Sequence, residues 1–332
     1  MLCNISYINS VKTQTRMKFL FVFLPFLTFS QLKEEPFFGE NPGNLKMFSF
    51  TDEGVEHGKR PLVVALHGCS QTANSLAKQS GWNKLAKEHQ FVVIYPQQKR
   101  SNNGSNCFNW FKKKDHSKDS GESQSIKSMI DLAVKNYDID TSKIFIYGLS
   151  AGAAMSVSMM ANYPELFHTG AIFAGAPHRI VEKYSQAVKA MNGKIDKKPE
   201  EWGKLITNDP AEQDYPKLIV FHGEKDGIVD INNARELIEQ WSYLHQTDAE
   251  QDSVIEHFAN NENVQKISYW NKNKEEVITF YKIANLGHAL PVDPGENKKQ
   301  GGETGAFAKD MDFFSTYYVA KDFGLVKMEG IE

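Results

Sequence analysis

The sequence predicts an α/β protein whose mostly parallel sheet is covered by helices on both faces. Its strand-like runs are almost continuously apolar, and they alternate along the chain with segments whose apolar residues recur at helical spacing. The predicted strands are residues 62–66, 91–95 (ending at Pro96), 143–147, 170–174 and 218–221. The predicted helices are residues 75–89, 123–137, 151–163 and 231–244.

Local signals support these elements in order. Helix 75–89 places Leu76, Trp82 and Leu85 at helical spacing. Before helix 123–137, Asp119 and Glu122 resemble a capping box.

The last part of the chain follows a different pattern. Residues 266–270 and 276–282 alternate apolar and polar side chains around a short polar stretch, which predicts a β-hairpin. Residues 307–323 predict a closing helix. Residues 177–216 are polar and rich in lysine, which predicts an inserted lid or surface excursion after a core strand. Residues 285–304 predict a loop rich in glycine and proline around a histidine.

A Gly-x-Ser-x-Gly motif lies between predicted strand 143–147 and predicted helix 151–163, with the sequence Gly148-Leu149-Ser150-Ala151-Gly152. The motif alone also occurs in glycine-rich turns. Between a strand and a helix it is typical of the nucleophile elbow of an α/β-hydrolase, where a serine occupies a strained turn and its neighbours must be small. We therefore predict an α/β-hydrolase fold with Ser150 as its nucleophile.

An elbow serine needs a histidine to take its proton and a carboxylate to orient that histidine. In this fold the acid follows the serine along the chain, and the histidine comes last. The best-placed acid is Asp226, on the loop that leaves strand 218–221, with Glu224 and Asp230 as alternatives. The best-placed base is His288, in the loop after the last predicted strand. The predicted triad is Ser150, Asp226 and His288.

The remaining histidines have structural interpretations. His245 and His257 lie in polar context, which predicts surface positions. His67 and His222 each precede a glycine at a strand end, which predicts hydrogen-bonded structural histidines.

Acyl transfer also requires N–H donors for the oxyanion of the tetrahedral intermediate. One is predicted to be the backbone N–H of Ala151, directly after the nucleophile. The second is predicted to be that of Cys69, on the loop after strand 62–66, although Cys69 could instead have only a structural role. Trp110 lies in an aromatic cluster, and either walls an acyl pocket or packs in the core.

Composition limits the classes of function. The chain has 332 residues, a net charge of −3, 41% hydrophobic residues and 24% charged residues, as in soluble globular proteins. This charge balance predicts no nucleic-acid partner. The histidines show no paired ligand spacing, and neither a phosphate loop nor a dinucleotide fingerprint is present, so no metal or cofactor is predicted.

The N-terminus resembles a secretory signal peptide. Lys12, Arg16 and Lys18 precede the apolar stretch 19–29, and small or polar residues follow. We therefore predict a signal peptide over residues 1–30, with Met17 as an alternative start, and a single catalytic domain over residues 31–332. A membrane tether is the alternative, but the stretch is short for a span. The expected location is extracellular or periplasmic, without a stable membrane anchor.

The predicted export places the cysteines of the mature chain in an oxidising compartment, where disulfides form. Cys3 lies in the segment expected to be removed, which leaves Cys69 and Cys107 in an oxidising compartment. We predict a disulfide between them, with two buried free thiols as the alternative. Closing a loop of this length contributes about 3–4 kcal/mol in the chain-entropy model.

Taken together, these motifs resemble the catalytic domain of extracellular polyhydroxyalkanoate (PHB) depolymerases and related esterases. The matching pieces run in order from about residue 60 to the C-terminus. They are residues 66–71, 80–82, 95–98, 107–111, 147–152, 174–177, 222–226, 287–293, 300–305 and 315–318. The resemblance implies an α/β-hydrolase fold, a Ser150–Asp226–His288 triad, an oxyanion hole from Cys69 and Ala151, and hydrolysis of 3-hydroxyacyl esters.

The same resemblance leaves the acyl group open, because the broad family includes feruloyl and acetylxylan esterases. Polymer-degrading members usually carry a linker and a polymer-adsorbing domain, whereas this chain stops soon after its predicted closing helix. Soluble oligomers, amorphous polymer and plant-wall esters are therefore the expected substrates. A non-catalytic secreted binding protein is the hypothesis from another class, and the intact triad positions disfavour it.

Overall fold

A computed structural model describes residues 32–52 and 58–326. The predicted signal peptide lies outside the described residues. The strands are β1 (Lys33–Glu34), β2 (Lys46–Phe50), β3 (Arg60–Leu66), β4 (Val92–Gln97), β5 (Ile139–Leu149), β6 (Thr169–Phe173), β7 (Lys217–Gly223), β8 (Ser253–Ile255), β9 (Val264–Trp270), β10 (Glu276–Ile283), β11 (Leu290–Val292) and β12 (Ala308–Asp310). The α-helices are α1 (Ala73–Ser80), α2 (Trp82–His89), α3 (Lys113–His116), α4 (Gly121–Asn136), α5 (Ala151–Asn162), α6 (Tyr184–Met191), α7 (Pro199–Gly203), α8 (Asn232–Leu244) and α9 (Ser315–Asp322).

Ten of these strands form one sheet in the order β1-β2-β4-β3-β5-β6-β7-β10-β9-β8. The six strands from β4 to β10 in this order run parallel to one another, and the strands outside them on both edges pair antiparallel. Strands β9 and β10 form the hairpin that their alternation predicts. Strands β11 and β12 form a separate parallel pair. The predicted fold class is confirmed.

Each parallel strand buries both of its faces. In β3, Leu62, Val64 and Leu66 belong to the core shared with helices α4, α5 and α8. The alternate residues Val63 and Ala65 belong to the core on the other face, shared with α1, α2 and α9. Because side chains alternate along a strand, a continuous apolar run can supply two cores at once. This explains why the predicted strands lack a polar face.

A row of aromatic rings crosses the second of these faces. Phe173 of β6 stacks on Phe221 of β7 at a centroid distance of 4.2 Å, and Phe221 stacks on Tyr281 of β10 at 4.4 Å. Tyr147 of β5 continues the row at 4.9 Å from Phe173. These rings pack the strands that lead to the elbow and to the predicted acid.

Two boundaries differ from the sequence predictions because of tertiary contacts. The single helix predicted over residues 75–89 is two helices that meet at Gly81, whose φ of 69° is left-handed. A Cβ there would lie 2.7 Å from Cζ of Phe314, so the chain bends where the C-terminal segment packs. Strand β4 continues through Pro96, which lies beyond the pairing with β3 and faces only β2.

Two further predictions were wrong. The closing helix predicted over residues 307–323 is only α9, because residues 308–310 pair with β11 instead. The predicted capping box at α4 does not form. Ser120 is the N-cap, and the carboxylate of Glu122 faces the 107–111 segment.

The excursion, residues 177–216, follows β6 and contains α6 and α7. Two buried amides of α8 bind its backbone. Asn233 donates to the carbonyl of Ala190, and Gln240 donates to the carbonyls of His178 and Trp202. These buried hydrogen bonds are neutral, and an exposed ion pair between α8 and the excursion adds to them. In the described ranges, no helix is long and apolar enough to cross a membrane.

Gly152→Ala is expected to lower the free energy of unfolding by about 3 kcal/mol, because the new Cβ has no space. It would lie 2.4 Å from the carbonyl oxygen of Leu66 and 2.5 Å from that of His67. Urea unfolding of the purified protein measures the change. Gly104→Ala is the control, because a Cβ at that position has no neighbour within 4 Å. Equal midpoints for both variants would contradict the proposed close contact.

Candidate active site

Ser150 occupies the strained turn that the motif predicts. Its φ of 56° and ψ of −121° lie outside the helical region, and helix α5 begins at the next residue. The N–H of Ser150 donates to the carbonyl of Phe173 at 2.8 Å, which fixes the turn against the end of β6. A non-glycine residue with positive φ is costly and persists only where the surrounding structure enforces it.

Glycines on both sides of Ser150 permit this turn. A Cβ on Gly148 would lie 2.5 Å from the carbonyl oxygen of Gly152, and a Cβ on Gly152 would strike the carbonyl of Leu66. Helix α5 therefore approaches the ends of β5 and β3 through backbone alone. This contact explains the spacing of the motif.

His288 and Asp226 form a hydrogen-bonded pair. Nδ1 of His288 lies 2.7 Å from Oδ2 of Asp226, and both side chains are almost fully buried. Oδ1 of Asp226 accepts the backbone N–H groups of Ile228 and Val229, each at 2.9 Å. The loops that carry the pair are joined by backbone, since the N–H of Lys225 donates to the carbonyl of Leu286. Because the carboxylate only accepts, Nδ1 of His288 carries the hydrogen.

Opposing effects act on the pKa of Asp226. Burial by itself raises the pKa of this carboxyl, but the hydrogen bond and charge of His288 and the backbone N–H groups of Val229 and Ile228 hold it below its usual value. Asp226 is therefore ionised at neutral pH.

The predicted site residues other than Asp226 line one cavity of about 320 Å³. They are Ser150, Ala151, His288, Cys69 and Trp110. Asp226 lies behind His288 and is hydrogen-bonded to Nδ1 of its ring. Trp110 is 8% exposed and packs edge-on against Phe111, so it belongs to the core and also walls the cavity.

The loop that carries Cys69 lies against the elbow. A Cβ on Gly68 would lie 3.4 Å from Cβ of Ser150 and 3.3 Å from the carbonyl oxygen of Leu149. The predicted disulfide is present and joins Cys69 to Cys107, 38 residues apart in the sequence. The bond links the loop after β3 to the segment that carries Trp110.

A buried carboxyl group supports that segment from behind. Oε2 of Glu122 accepts the backbone N–H of Asn109 at 2.8 Å, and Oε1 accepts Nδ2 of Asn109 at 2.6 Å and Nε2 of Gln98. Burial and the nearby charge of Asp115 raise the pKa of Glu122, and these three hydrogen bonds, which favour the ionised form, oppose that rise. All three partners are N–H donors, so both carboxyl oxygens act as acceptors.

Gln98 connects this carboxyl to the loop after β3. The backbone N–H of Gln98 donates to Nε2 of His67 at 3.1 Å. Because Nε2 accepts, Nδ1 of His67 carries the hydrogen and donates to the carbonyl of Gly68 at 2.7 Å. Burial lowers the pKa of His67 to about 4, so the ring is neutral. Sequence reasoning missed this role of Glu122, because only the fold brings residues 98, 109 and 122 together.

The other histidines have the following positions. His222 is buried and its Nε2 donates to the carbonyl of Val229, which agrees with a structural role like that of His67. His257 is exposed, as predicted. The surface prediction for His245 was wrong, because it is partly buried and its Nε2 contacts the carbonyl of Pro216 at 3.2 Å.

Several cavity residues were not predicted from the sequence. Met191 comes from the end of α6, Ile228 and Val229 follow the predicted acid, and Phe307 precedes β12. Apolar residues at these positions carry no local signal that separates a pocket wall from a core.

Outside the cavity lining, three carboxylates approach one another. Asp293, Asp310 and Asp312 each offer an oxygen within 4.8 Å of the others. Exposed acidic groups often meet in this way without an ion, and the arrangement alone assigns no metal.

Comparisons with known proteins agree with this geometry. The family model for esterase PHB depolymerase matches residues 47–254. Poly(3-hydroxyalkanoate) depolymerase C of Paucimonas lemoignei is 38% identical over 297 residues, which cover 87% of this chain and 69% of that protein. An acetylxylan esterase of Coprinopsis cinerea is 30% identical (67% of this chain, 60% of that protein), and feruloyl esterase B of Talaromyces stipitatus is 28% identical (66% and 63%).

Among solved structures, the acetyl xylan esterase from Aspergillus awamori superposes with a TM-score of 0.75 at 21% identity. The match covers 89% of this chain and all of that one. At this identity the likeness supports the fold alone.

Glu122→Gln is expected to lower the free energy of unfolding by about 2 kcal/mol, because an amide NH₂ would then face an N–H donor of Asn109 or Gln98. Urea unfolding at pH 7 measures the change.

Glu236→Gln is the matched control. Glu236 is also fully buried, but both of its carboxyl oxygens lack a hydrogen-bond partner among the described residues. Because no described N–H group donates to this carboxyl, the amide NH₂ of a glutamine would oppose no donor there. The urea midpoint of Glu236→Gln should therefore differ little from that of the wild type. Equal losses in both variants would refute the supporting role of Glu122.

Proposed function

The chain belongs to the esterase PHB depolymerase family and is a carboxylic ester hydrolase; from this premise we propose that it hydrolyses 3-hydroxyalkanoate esters, as poly- or oligo-3-hydroxybutyrate, through a Ser150–His288–Asp226 triad. One observation carries the proposal. His288, which is hydrogen-bonded to Asp226, lines the same cavity as a serine held at positive φ on a strand-to-helix turn.

In the first half of the reaction, Oγ of Ser150 attacks the ester carbonyl carbon while Nε2 of His288 takes its proton. Asp226 holds the N–H at Nδ1 and stabilises the imidazolium that forms. The oxyanion is bound by the backbone N–H groups of Ala151 and Cys69. When the intermediate collapses, the C–O bond to the alcohol breaks and His288 protonates the leaving oxygen.

In the second half, water attacks the acyl group on Ser150 and His288 takes a proton from that water. Collapse of the second intermediate returns the proton to Ser150 and releases the acid. The depressed pKa of Asp226 suits this cycle, because a protonated carboxyl could neither orient His288 nor stabilise its positive charge.

The 38% identity with the Paucimonas lemoignei depolymerase favours 3-hydroxyalkanoate esters. The cavity agrees with a small apolar acyl group, because most of its lining side chains are apolar. The alternative is a feruloyl or acetylxylan esterase with the same catalytic groups, which the relatives at 28–30% identity support.

We also propose that the protein acts outside the cytoplasm. The Cys69–Cys107 disulfide supports this proposal, since such bonds persist in oxidising compartments. The signal peptide over residues 1–30 is part of the same proposal.

Ser150→Ala should abolish ester hydrolysis by the purified protein, and Asp226→Asn should lower kcat by about 10⁴-fold because histidine loses its orienting carboxylate. Hydrolysis of p-nitrophenyl butanoate at pH 7.5 measures both. Glu224→Gln and Asp230→Asn are controls, because these are the other carboxylates of the same loop and should retain activity. If either control lost most of its esterase activity while Asp226→Asn stayed active, the role of the acid would pass to that other carboxylate.

A substrate panel separates the two acyl classes. Amorphous poly(3-hydroxybutyrate), its soluble oligomers, methyl ferulate and acetylated xylan are compared by kcat/KM or by rate of acid release, with Ser150→Ala as blank. We expect 3-hydroxybutyrate esters to be preferred. Preference for ferulate or xylan acetate would leave the mechanism in place and replace the substrate.

A further inference from the structure

We propose that Met191 determines the longest acyl chain that the cavity accepts. This inference rests on the proposed function, because it assigns the cavity beside Ser150 to the acyl group. Met191 lines that cavity, and among the side chains of the excursion that the structure describes it is the one that does so.

The rest of the cavity comes from the catalytic body. Residues 149–151 belong to the elbow, residues 68–70 to the loop after β3, and residues 174–176 to the end of β6. These segments cannot move without disturbing the nucleophile or its neighbours. Met191 is different, because it belongs to the excursion and not to the elbow.

The backbone of Met191 is tied to the loop after the predicted acid. Its carbonyl accepts the N–H of Asp230 at 2.7 Å, and Nδ2 of Asn233 donates to the carbonyls of Ala190 and Met191 at 3.0 and 3.3 Å. Ile228 and Val229, directly before Asp230, line the same cavity. The wall therefore consists of two adjoining segments joined by hydrogen bonds.

The side chain of Met191 suits a boundary that limits length. It is partly buried, and a thioether on a flexible chain fills irregular apolar space. The small side chains of Ala154, Ala174 and Ala176 leave room on other sides of the cavity. Shortening residue 191 should therefore lengthen the space for an alkyl chain, and a rigid ring there should shorten it.

Chain-length selectivity tests this role. Wild type, Met191→Ala and Met191→Phe are assayed on p-nitrophenyl acetate, butanoate, hexanoate and octanoate. The ratio of kcat/KM for octanoate to that for butanoate should rise about tenfold in Met191→Ala and fall about tenfold in Met191→Phe, in line with the discrimination that a few methylene groups give in an apolar pocket.

Two controls separate this effect from general disturbance of the helix. Met191→Leu conserves volume and should keep the wild-type ratio. Val188→Ala shortens a side chain in the same helix that is 61% exposed and does not line the cavity, so it should also keep that ratio. Thermal unfolding checks each variant, and if Met191→Ala does not fold, the ratio in Met191→Phe relative to Met191→Leu decides.

The outcomes distinguish the inference from the proposed function. An unchanged ratio in folded Met191 variants whose activity still requires Ser150 would overturn the role of Met191 and leave the esterase proposal standing. Activity that survives Ser150→Ala would overturn the proposed function itself. A tenfold change shared by Val188→Ala would also overturn the assignment to Met191.

Discussion

The close backbone contact between the start of α5 and the end of β3 is the constraint on which the site depends. Gly152 lies against the carbonyl oxygens of Leu66 and His67 with no space for a Cβ. Because these two ends touch, the nucleophile and the loop after β3 are neighbours before any side chain contributes. The positive φ of Ser150 then follows, since the chain must reverse within one residue to enter α5 from β5. A larger side chain at residue 152 would separate the proposed nucleophile from one of its two proposed oxyanion donors.

The loop after β3 is held from its other side by two different interactions. The disulfide from Cys69 to Cys107 acts covalently and chiefly restricts the unfolded chain. The carboxyl group of Glu122 acts in the folded state, where it binds Asn109 and Gln98 behind the same segment. A buried acid is costly unless its oxygens are satisfied, and here three donors converge on it. The loop is thereby fixed on both sides in the absence of substrate, which electrostatic stabilisation of an oxyanion requires.

Local patterns predicted the parts of this molecule that local chemistry determines. The apolar strands, the β9–β10 hairpin and the strand–Ser150–helix arrangement follow from side-chain periodicity and from the small residues around the serine. Contacts between distant residues determined the rest. The break at Gly81 depends on Phe314, and the role of Glu122 depends on Asn109, thirteen residues earlier on another segment. A capping box was the natural interpretation of Glu122, because sequence alone shows which residues are near in the chain and not which donors the fold supplies.

The proposed catalytic groups and the proposed determinant of chain length lie on different parts of the fold. The groups around Ser150 are fixed by backbone packing, by a disulfide and by a buried carboxyl, so that few substitutions there can be neutral. The excursion is attached to α8 through Asn233 and Gln240, whose side-chain amides donate neutral hydrogen bonds to backbone carbonyls. Such bonds place the wall at Met191 firmly, yet they involve no atom of the proposed triad. The shape of the acyl cavity can therefore change by substitution in the excursion while the machinery at its other end is preserved.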